Sequence, residues 1–262
     1  MEELVSYRQE KLAEIRAIAE QLEGIKGIFL GGSLANQTAD AYSDIDFRIV
    51  VDDVINPSDV LVHCFKELTD CLFMEEQYAH FAVVHFRQFV KLDLFIYQKK
   101  QVQPSLWLKD IAILRDEGDY LQTIKEASQA LEFTVEQDQL DEYLSKYYAY
   151  LHEWVRRTKR AEKTYALHCL LGMRHILVSL SYLNQSLLPN SLGDWSKYEG
   201  QKSHLDAEVA SLCSKYPVEN RDMEALTEAV RQEALLLAKT YQLEVDLDQF
   251  EDVVRLYRKY GS

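Results

Sequence analysis

Nowhere does the chain offer an unbroken run of the roughly 20 apolar residues that crossing a bilayer takes. Its opening, MEELVSYRQEKLAEIRAIAEQL, alternates charged and apolar side chains where a secretory leader would show an apolar stretch. Neither a membrane span nor a leader is expected, and the chain is placed in the cytoplasm. Cysteine is scarce too. Cys64, Cys71, Cys169 and Cys213 form no CxxC pair, and none has a histidine at zinc-ligand spacing, which fits a reducing compartment. Cys64 and Cys71 fall in an apolar helical pattern and read as buried thiols. Positive charge is the third deficit: 29 Lys and Arg stand against 43 Asp and Glu, a net charge of −14. Affinity for a long phosphate backbone comes largely from Lys and Arg displacing counterions, so DNA and RNA are poor candidates for a substrate. An acidic surface instead raises the local concentration of a polycationic small molecule. Internal repeats and low-complexity linkers are absent as well. What is present, 262 residues at 47% hydrophobic content, supplies a core for one large domain or two modest ones.

Leu4, Val5, Leu12, Ile15, Ile18, Ala19 and Leu22 recur at helical spacing, and Gly24 is placed to end that helix. Gly27-Ile28-Phe29-Leu30 reads as a buried strand running into the tight turn Gly31-Gly32-Ser33. Residues 34–42 follow as a polar connection or short helix, and Asp46 to Val51 as a second strand. The apolar positions Val60, Leu61, Cys64, Phe65, Leu68 and Leu72 predict a helix over 58–73. Segments 81–86 and 90–96 predict a hairpin around Arg87-Gln88-Phe89, and 112–116 a last strand. Beyond residue 122 only helical periodicity remains: a face marked by Leu140, Tyr143, Leu144, Tyr147, Leu151 and Trp154, a central buried helix over 165–183, and helices over 205–214, 222–242 and 246–259. The expected class is α+β: a mixed sheet flanked by helices in 1–121, then a helical bundle in 122–262.

The chemistry concentrates between Gly31 and Asp46. A strand ending in Gly-Gly-Ser lets a phosphate approach bare backbone N–H groups, and a helix starting there adds its partial positive charge. Asp44 and Asp46, two apart at a strand entry, project from one face and can share a hard cation. No local lysine is evident to neutralise them, and Mg²⁺ binds through one or two carboxylates plus substrate phosphate oxygens. Asp93 interrupts the apolar strand Leu92-Asp93-Leu94; if that strand lies beside 46–51, three carboxylates converge. Such a set holds two metal ions, one activating an acceptor hydroxyl and one stabilising a pyrophosphate leaving group. Taken singly, each part has a plainer explanation as a turn, a helix cap or an edge-strand charge. The combination is what points to a site.

Gly32-Ser33, Asp44-Ile45-Asp46 and Asp93 together resemble the nucleotidyltransferase superfamily that includes DNA polymerase beta. Over nearly its whole length the chain also resembles the bacterial antibiotic nucleotidyltransferases, above all the lincosamide enzymes. The resemblance rests on Ser43-Asp44-Ile45-Asp46-Phe47, the Asp93 strand, Ile113-Leu114-Arg115-Asp116-Glu117-Gly118, Lys159-Arg160-Ala161-Glu162, Asp194-Trp195 and Tyr241-Gln242-Leu243. It implies a mixed-sheet domain, a helical domain, a substrate cleft between them, and Mg²⁺-dependent transfer of AMP or another NMP to an antibiotic hydroxyl. Many relatives carry an arginine just after Gly-Ser, where this chain has Leu34-Ala35-Asn36. Arg48, on the strand face of Asp46, is the candidate replacement.

The expectations are therefore specific. Asp44, Asp46 and Asp93 hold the metal, two Mg²⁺ ions. Gly32, Ser33, Ser43 and Arg48 bind ATP or another NTP. The base is Asp93 or Glu162, the latter sitting where related enzymes place an acidic group facing the acceptor. His168 and His175, seven apart on one helix face, lack a third ligand and read as core or cleft residues. The tyrosines 143, 147, 148 and 150 with Trp154 either line an acceptor pocket or pack helices. The expected partner is a small-molecule acceptor such as a lincosamide or aminoglycoside, with no nucleic acid and no membrane, and with a homodimer left open. The alternatives are AMPylation of a protein hydroxyl and a non-catalytic nucleotide-binding module; the retained acids argue against the second.

Overall fold

The structure is a computed structural model that describes residues 2–216 and 219–261. The chain falls into two compact units, Met1–Glu132 and Phe133–Ser262. The first begins with α1 (Glu2–Gln21), followed by β1 (Ile25–Leu30), the single-turn α2 (Gly32–Ala35), β2 (Ile45–Val51) and α3 (Pro57–Glu67). Then come β3 (Cys71–Gln77), β4 (Phe81–Phe86), β5 (Lys91–Gln98), β6 (Ala112–Asp116) and α4 (Tyr120–Gln129). The strands form one 6-stranded sheet in the order β3-β4-β5-β2-β1-β6. β2 and β5 run parallel and every other neighbour pair is antiparallel.

Alternation along the central strands divides the sheet into two faces. Ile45, Phe47, Ile49 and Val51 of β2 and Leu92, Leu94 and Ile96 of β5 are buried on one face, in a core that includes Tyr7, Ile15 and Ala19 of α1 and Val60, Leu61 and Cys64 of α3. On the other face, Phe29 and Val50 pack with Leu121 and Ile124 of α4. That leaves the stretch of this second face around Asp46 and Asp93 for polar groups. α4 packs on the sheet and falls within the first compact unit, which runs on to Glu132.

Two readings of the sequence are corrected here. The helix expected over 58–73 ends at Glu67; its C-cap Leu68 is extended, Asp70 has φ 60°, and the chain turns into β3, so Leu72 and Cys71 lie in an exposed edge strand. Cys64 is a buried free thiol, pushed up to about 12 by burial, but Cys71 is an exposed one.

The second unit contains α5 (Gln137–Lys159), α6 (Lys163–Asn184), α7 (Ala207–Ser214), α8 (Asn220–Tyr241) and α9 (Leu247–Gly261). α6 is long and apolar enough to cross a membrane by length and composition, contrary to the reading that no such run exists, yet 72% of its apolar window is buried. It is the core helix of this unit: Leu170, Met173, Ile176, Leu177 and Leu180 pack with Leu144, Leu151, Val230 and Leu237. Tyr147 is core as well, its hydroxyl donating to Thr227 Oγ1 at 2.8 Å. His175 is buried, Nε2 lying 3.0 Å from the Asp194 carbonyl, while His168 is exposed beside the rings of Tyr150 and Tyr165. The two histidines therefore do not share an environment.

Candidate active site

In parallel strands, paired residues share a face. The register sets Asp46 opposite Asp93 and Arg48 opposite Phe95. Asp44, two residues before Asp46, joins the same face, as does Lys91, two before Asp93. Three carboxylates and two cations thus meet at the N-terminal ends of β2 and β5. Lys91 Nζ lies 3.0 Å from Asp44 Oδ2 and 3.1 Å from Asp93 Oδ2. Arg48 Nη1 lies 3.1 Å from Asp46 Oδ1, and its guanidinium covers the Phe95 ring at 4.7 Å.

Lys91 was not anticipated. Its signal was available: a residue two before Asp93, once β2 and β5 are parallel and in register, must fall beside Asp44. The premise that no lysine neutralises Asp44 and Asp46 is accordingly corrected, since Lys91 pairs with Asp44 and Arg48 with Asp46.

Three carboxylates against two cations leave one negative charge in excess. Burial raises the Asp93 pKa; Lys91 opposes the rise, and the charges of Asp44 and Asp46 add to it. Burial alone would lower the pKa of Lys91, but its hydrogen bond to Asp44 and the charge of Asp93 outweigh that and raise it. Asp93 Oδ1 is buried and has no hydrogen-bond partner.

An unpartnered carboxylate oxygen inside a net-negative cluster is the donor chemistry of a hard divalent cation. As the side chains stand, no group of three or more His, Cys, Asp or Glu among the described residues is arranged to hold a metal. The reason is on hand: Lys91 bridges two of the acids and Arg48 holds the third. Asp44, Asp46 and Asp93 fit a cation in the kind of donor they offer, with Lys91 competing for Asp44 and Asp93 and Arg48 taking up one oxygen of Asp46.

The Gly-Gly-Ser turn closes over the same face. Gly31 N–H donates to the Asp46 carbonyl at 3.0 Å, tying the end of β1 to β2. α2 starts at Gly32, within the turn and not after it, so its first-turn N–H groups lack intrahelical partners as at any helix start. Gly32 has φ +57°, and a Cβ there would stand 2.0 Å from Asp46 Oδ2. Glycine is thus required twice, for the left-handed backbone and for the approach to Asp46. Arg48 Cζ would lie 3.3 Å from a Cβ on Gly31, which puts the guanidinium against the backbone of the turn.

Ser33 is buried in α2. Ser43 is occupied in its own loop: its Oγ accepts from the Asp40 N–H at 2.9 Å and donates to Asp40 Oδ1 at 3.2 Å, while its carbonyl accepts from Arg8 Nη1 at 3.0 Å. The structure brings together Gly32, Ser33, Asp44, Asp46, Arg48 and Asp93 of the first unit. Glu162 belongs to the second unit, where it precedes α6 and accepts from Arg157 Nη1 at 2.8 Å. Beside it, Trp154, Thr158, Ala161, Lys163, Leu170 and Tyr216 line a cavity of about 290 Å³.

Residues 12–132 match the family described as nucleotidyltransferase domain, a span that ends where the first unit ends. No curated protein matches the chain. Similar solved structures include a nucleotidyltransferase-like protein from Exiguobacterium sibiricum 255-15, with 14% identity, 89% of this chain and 77% of that one covered, and a TM-score of 0.45. An aminoglycoside 6-adenyltransferase from Bacillus subtilis has 14% identity, coverage of 97% and 98%, and a TM-score of 0.39. A spectinomycin adenyltransferase from Enterococcus faecialis, solved with ATP and spectinomycin, has 10% identity, coverage of 87% and 98%, and a TM-score of 0.36. Likenesses this remote carry no weight for the substrate.

Two outcomes test this geometry. Gly32→Ala should destabilise the fold by more than the roughly 1–2 kcal/mol that a left-handed backbone costs an L-residue, because of the collision with Asp46. Gly118→Ala, at φ +69° with nothing within 4 Å of a Cβ, isolates the backbone cost alone. Equal losses in chemical denaturation would show that Gly32 and Asp46 are not in contact. The second outcome concerns Asp93. With its folded pKa raised, stability is lost as pH rises from the ordinary carboxylate value through the raised one, and the full penalty applies above it. Asp93→Asn should therefore melt higher than the parent at neutral pH in chelated buffer, with the gain shrinking in acid; a lower Tm at neutral pH would refute the electrostatic account.

Proposed function

We propose, from the premise that the chain carries a nucleotidyltransferase domain over residues 12–132, that it transfers AMP from ATP to a hydroxyl of a small molecule and releases pyrophosphate. The observation that carries the reading is the in-register placement of Asp46 opposite Asp93, with Asp44 beside them and Asp93 Oδ1 left without a partner. The acceptor class proposed is an antibiotic such as a lincosamide or aminoglycoside. The net charge of −14 favours a cationic acceptor over a polyanionic one.

In the transfer, the acceptor oxygen forms a bond to the α-phosphorus, the bond from that phosphorus to the bridging oxygen breaks, and pyrophosphate leaves. Asp44, Asp46 and Asp93 would hold the Mg²⁺ ions, which supply Lewis-acid polarisation of the phosphoryl oxygens and acidify the acceptor hydroxyl. The chain's own groups do the rest. Backbone N–H groups of the Gly32-Ser33 turn receive phosphate oxygens. Arg48, seated against Gly31, neutralises the triphosphate beside that turn and takes the part that an arginine after Gly-Ser plays in the relatives. Ser43 contributes by fixing the loop that presents Asp44, since its hydroxyl is bound to Asp40.

The acceptor proton goes to Asp93, whose carboxylate stands opposite Asp46 in the same cluster as the proposed metal-holding acids. Glu162 is the other candidate. It accepts a hydrogen bond from Arg157, and the adjacent cavity in the helical unit offers Trp154 and Leu170 as an apolar wall for an acceptor.

Pyrophosphate release from each NTP with Mg²⁺, across lincosamides, aminoglycosides and candidate metabolites, tests the reading. Asp46→Asn should lower acceptor-dependent release on the order of 10³-fold, the equivalent of several kcal/mol of lost phosphoryl-charge stabilisation, while keeping the fold. Full activity in that variant would sink the assignment. Nucleotide binding with no turnover on any acceptor, protein hydroxyls included, would point to a binding module. Glu162→Gln separates the two bases: if Asp93 takes the proton, kcat changes by less than about threefold, whereas a drop of 10²-fold or more, typical for loss of a general base, reassigns the role to Glu162.

A further inference from the structure

We infer that Lys91 is a resident cation of this site, one that a divalent metal has to displace before the carboxylates can hold it. The inference rests on the reading of Asp44, Asp46 and Asp93 as the metal-holding set.

The ammonium contacts Asp44 Oδ2 and Asp93 Oδ2 at 3.0 and 3.1 Å, so it occupies one oxygen of each of two acids that would hold the metal. A point charge with three donors satisfies two separate carboxylates much as a metal does, and it offsets part of the repulsion among the three acids. The cluster is thereby held together without a metal.

The two cations of the site differ in how readily they can leave. Arg48 is pinned, with its guanidinium stacked on Phe95 at 4.7 Å and packed against Gly31, where even a Cβ would come within 3.3 Å. Lys91 has a flexible four-carbon stem, and its side chain is 34% exposed. When a metal enters, Lys91 is the group that yields, and Arg48 stays to meet phosphate. Metal and lysine exclude each other, so the lysine-clamped population lowers the apparent metal affinity by the fraction of molecules that remain open.

The test uses the full chain without nucleotide and Mn²⁺ as the probe, with binding read by electron paramagnetic resonance. Lys91→Met should bind Mn²⁺ on the order of tenfold more tightly than the parent, if the clamped form holds about nine molecules in ten. Lys91→Arg, whose planar fork grips carboxylates more persistently, should bind it no more tightly than the parent. Equal affinity in Lys91→Met and the parent, with binding lost in Asp46→Asn, would overturn the role of Lys91 and leave the metal site standing. Failure of both to bind Mn²⁺ even with ATP present would overturn the underlying reading as well.

Should Lys91→Met not fold, the parent itself decides. The ammonium resonance of Lys91, assigned by its loss in Lys91→Arg, should be visible in chelated buffer because two carboxylates slow its exchange. It should disappear on saturation with Mg²⁺. A resonance that persists at saturation contradicts displacement.

Discussion

The parallel pairing of β2 with β5 in one register, Asp46 against Asp93, is the constraint on which the rest of the first unit turns. A one-residue slip of either strand would turn its acid into the apolar face and bring Phe47 or Leu94 out. What prevents it is the opposite side of the same strands, where Ile45, Phe47, Ile49, Leu92, Leu94 and Ile96 are fully buried. Each of these side chains contributes roughly 1.5–3 kcal/mol by leaving water. The hydrophobic core beneath α1 and α3 therefore fixes the position of carboxylates that it never touches.

That arrangement concentrates like charge where folding alone would avoid it. Asp44, Asp46 and Asp93 repel one another, and Asp93 keeps a buried oxygen without a partner. The chain meets this with Lys91 and Arg48, which hold the cluster together but leave an excess negative charge. Gly32 shows the same pressure in the backbone, since its left-handed conformation and its approach to Asp46 exclude any side chain. Strain and uncompensated charge gathered at one place in a sheet mark a candidate functional site.

Much of this was legible in the sequence, because the cues are local. The period-2 pattern from Asp46 to Val51, the acid inside Leu92-Asp93-Leu94 and the glycines after Leu30 mark the site without knowledge of the fold. In the second unit, the 3.6-residue spacing through Leu140, Leu144, Tyr147 and Leu151 located α5 and its buried face. What was not legible depends on partners distant in sequence. β3 was read as the end of a helix because Leu68 and Leu72 keep helical spacing, and only the turn at Thr69-Asp70 and pairing with β4 make Leu72 a strand residue. α4 carries an ordinary helical pattern, yet its burial against Phe29 and Val50 assigns it to the sheet. Lys91 lies inside the predicted strand 90–96 with no cue of its own; its meaning comes from Asp44, which the parallel register brings beside it.

The account stands on Asp44, Asp46 and Asp93 acting together on a metal-bound nucleotide. A crystal structure with Mn²⁺ and a non-hydrolysable ATP analogue, with anomalous scattering used to locate the metal, tests this most directly. The predicted result is manganese coordinated by Asp44, Asp46 and Asp93, phosphates against the Gly32-Ser33 turn, and the Lys91 ammonium withdrawn from both carboxylates. Nucleotide bound elsewhere, or bound with Lys91 still bridging Asp44 and Asp93 and no manganese between them, would contradict it.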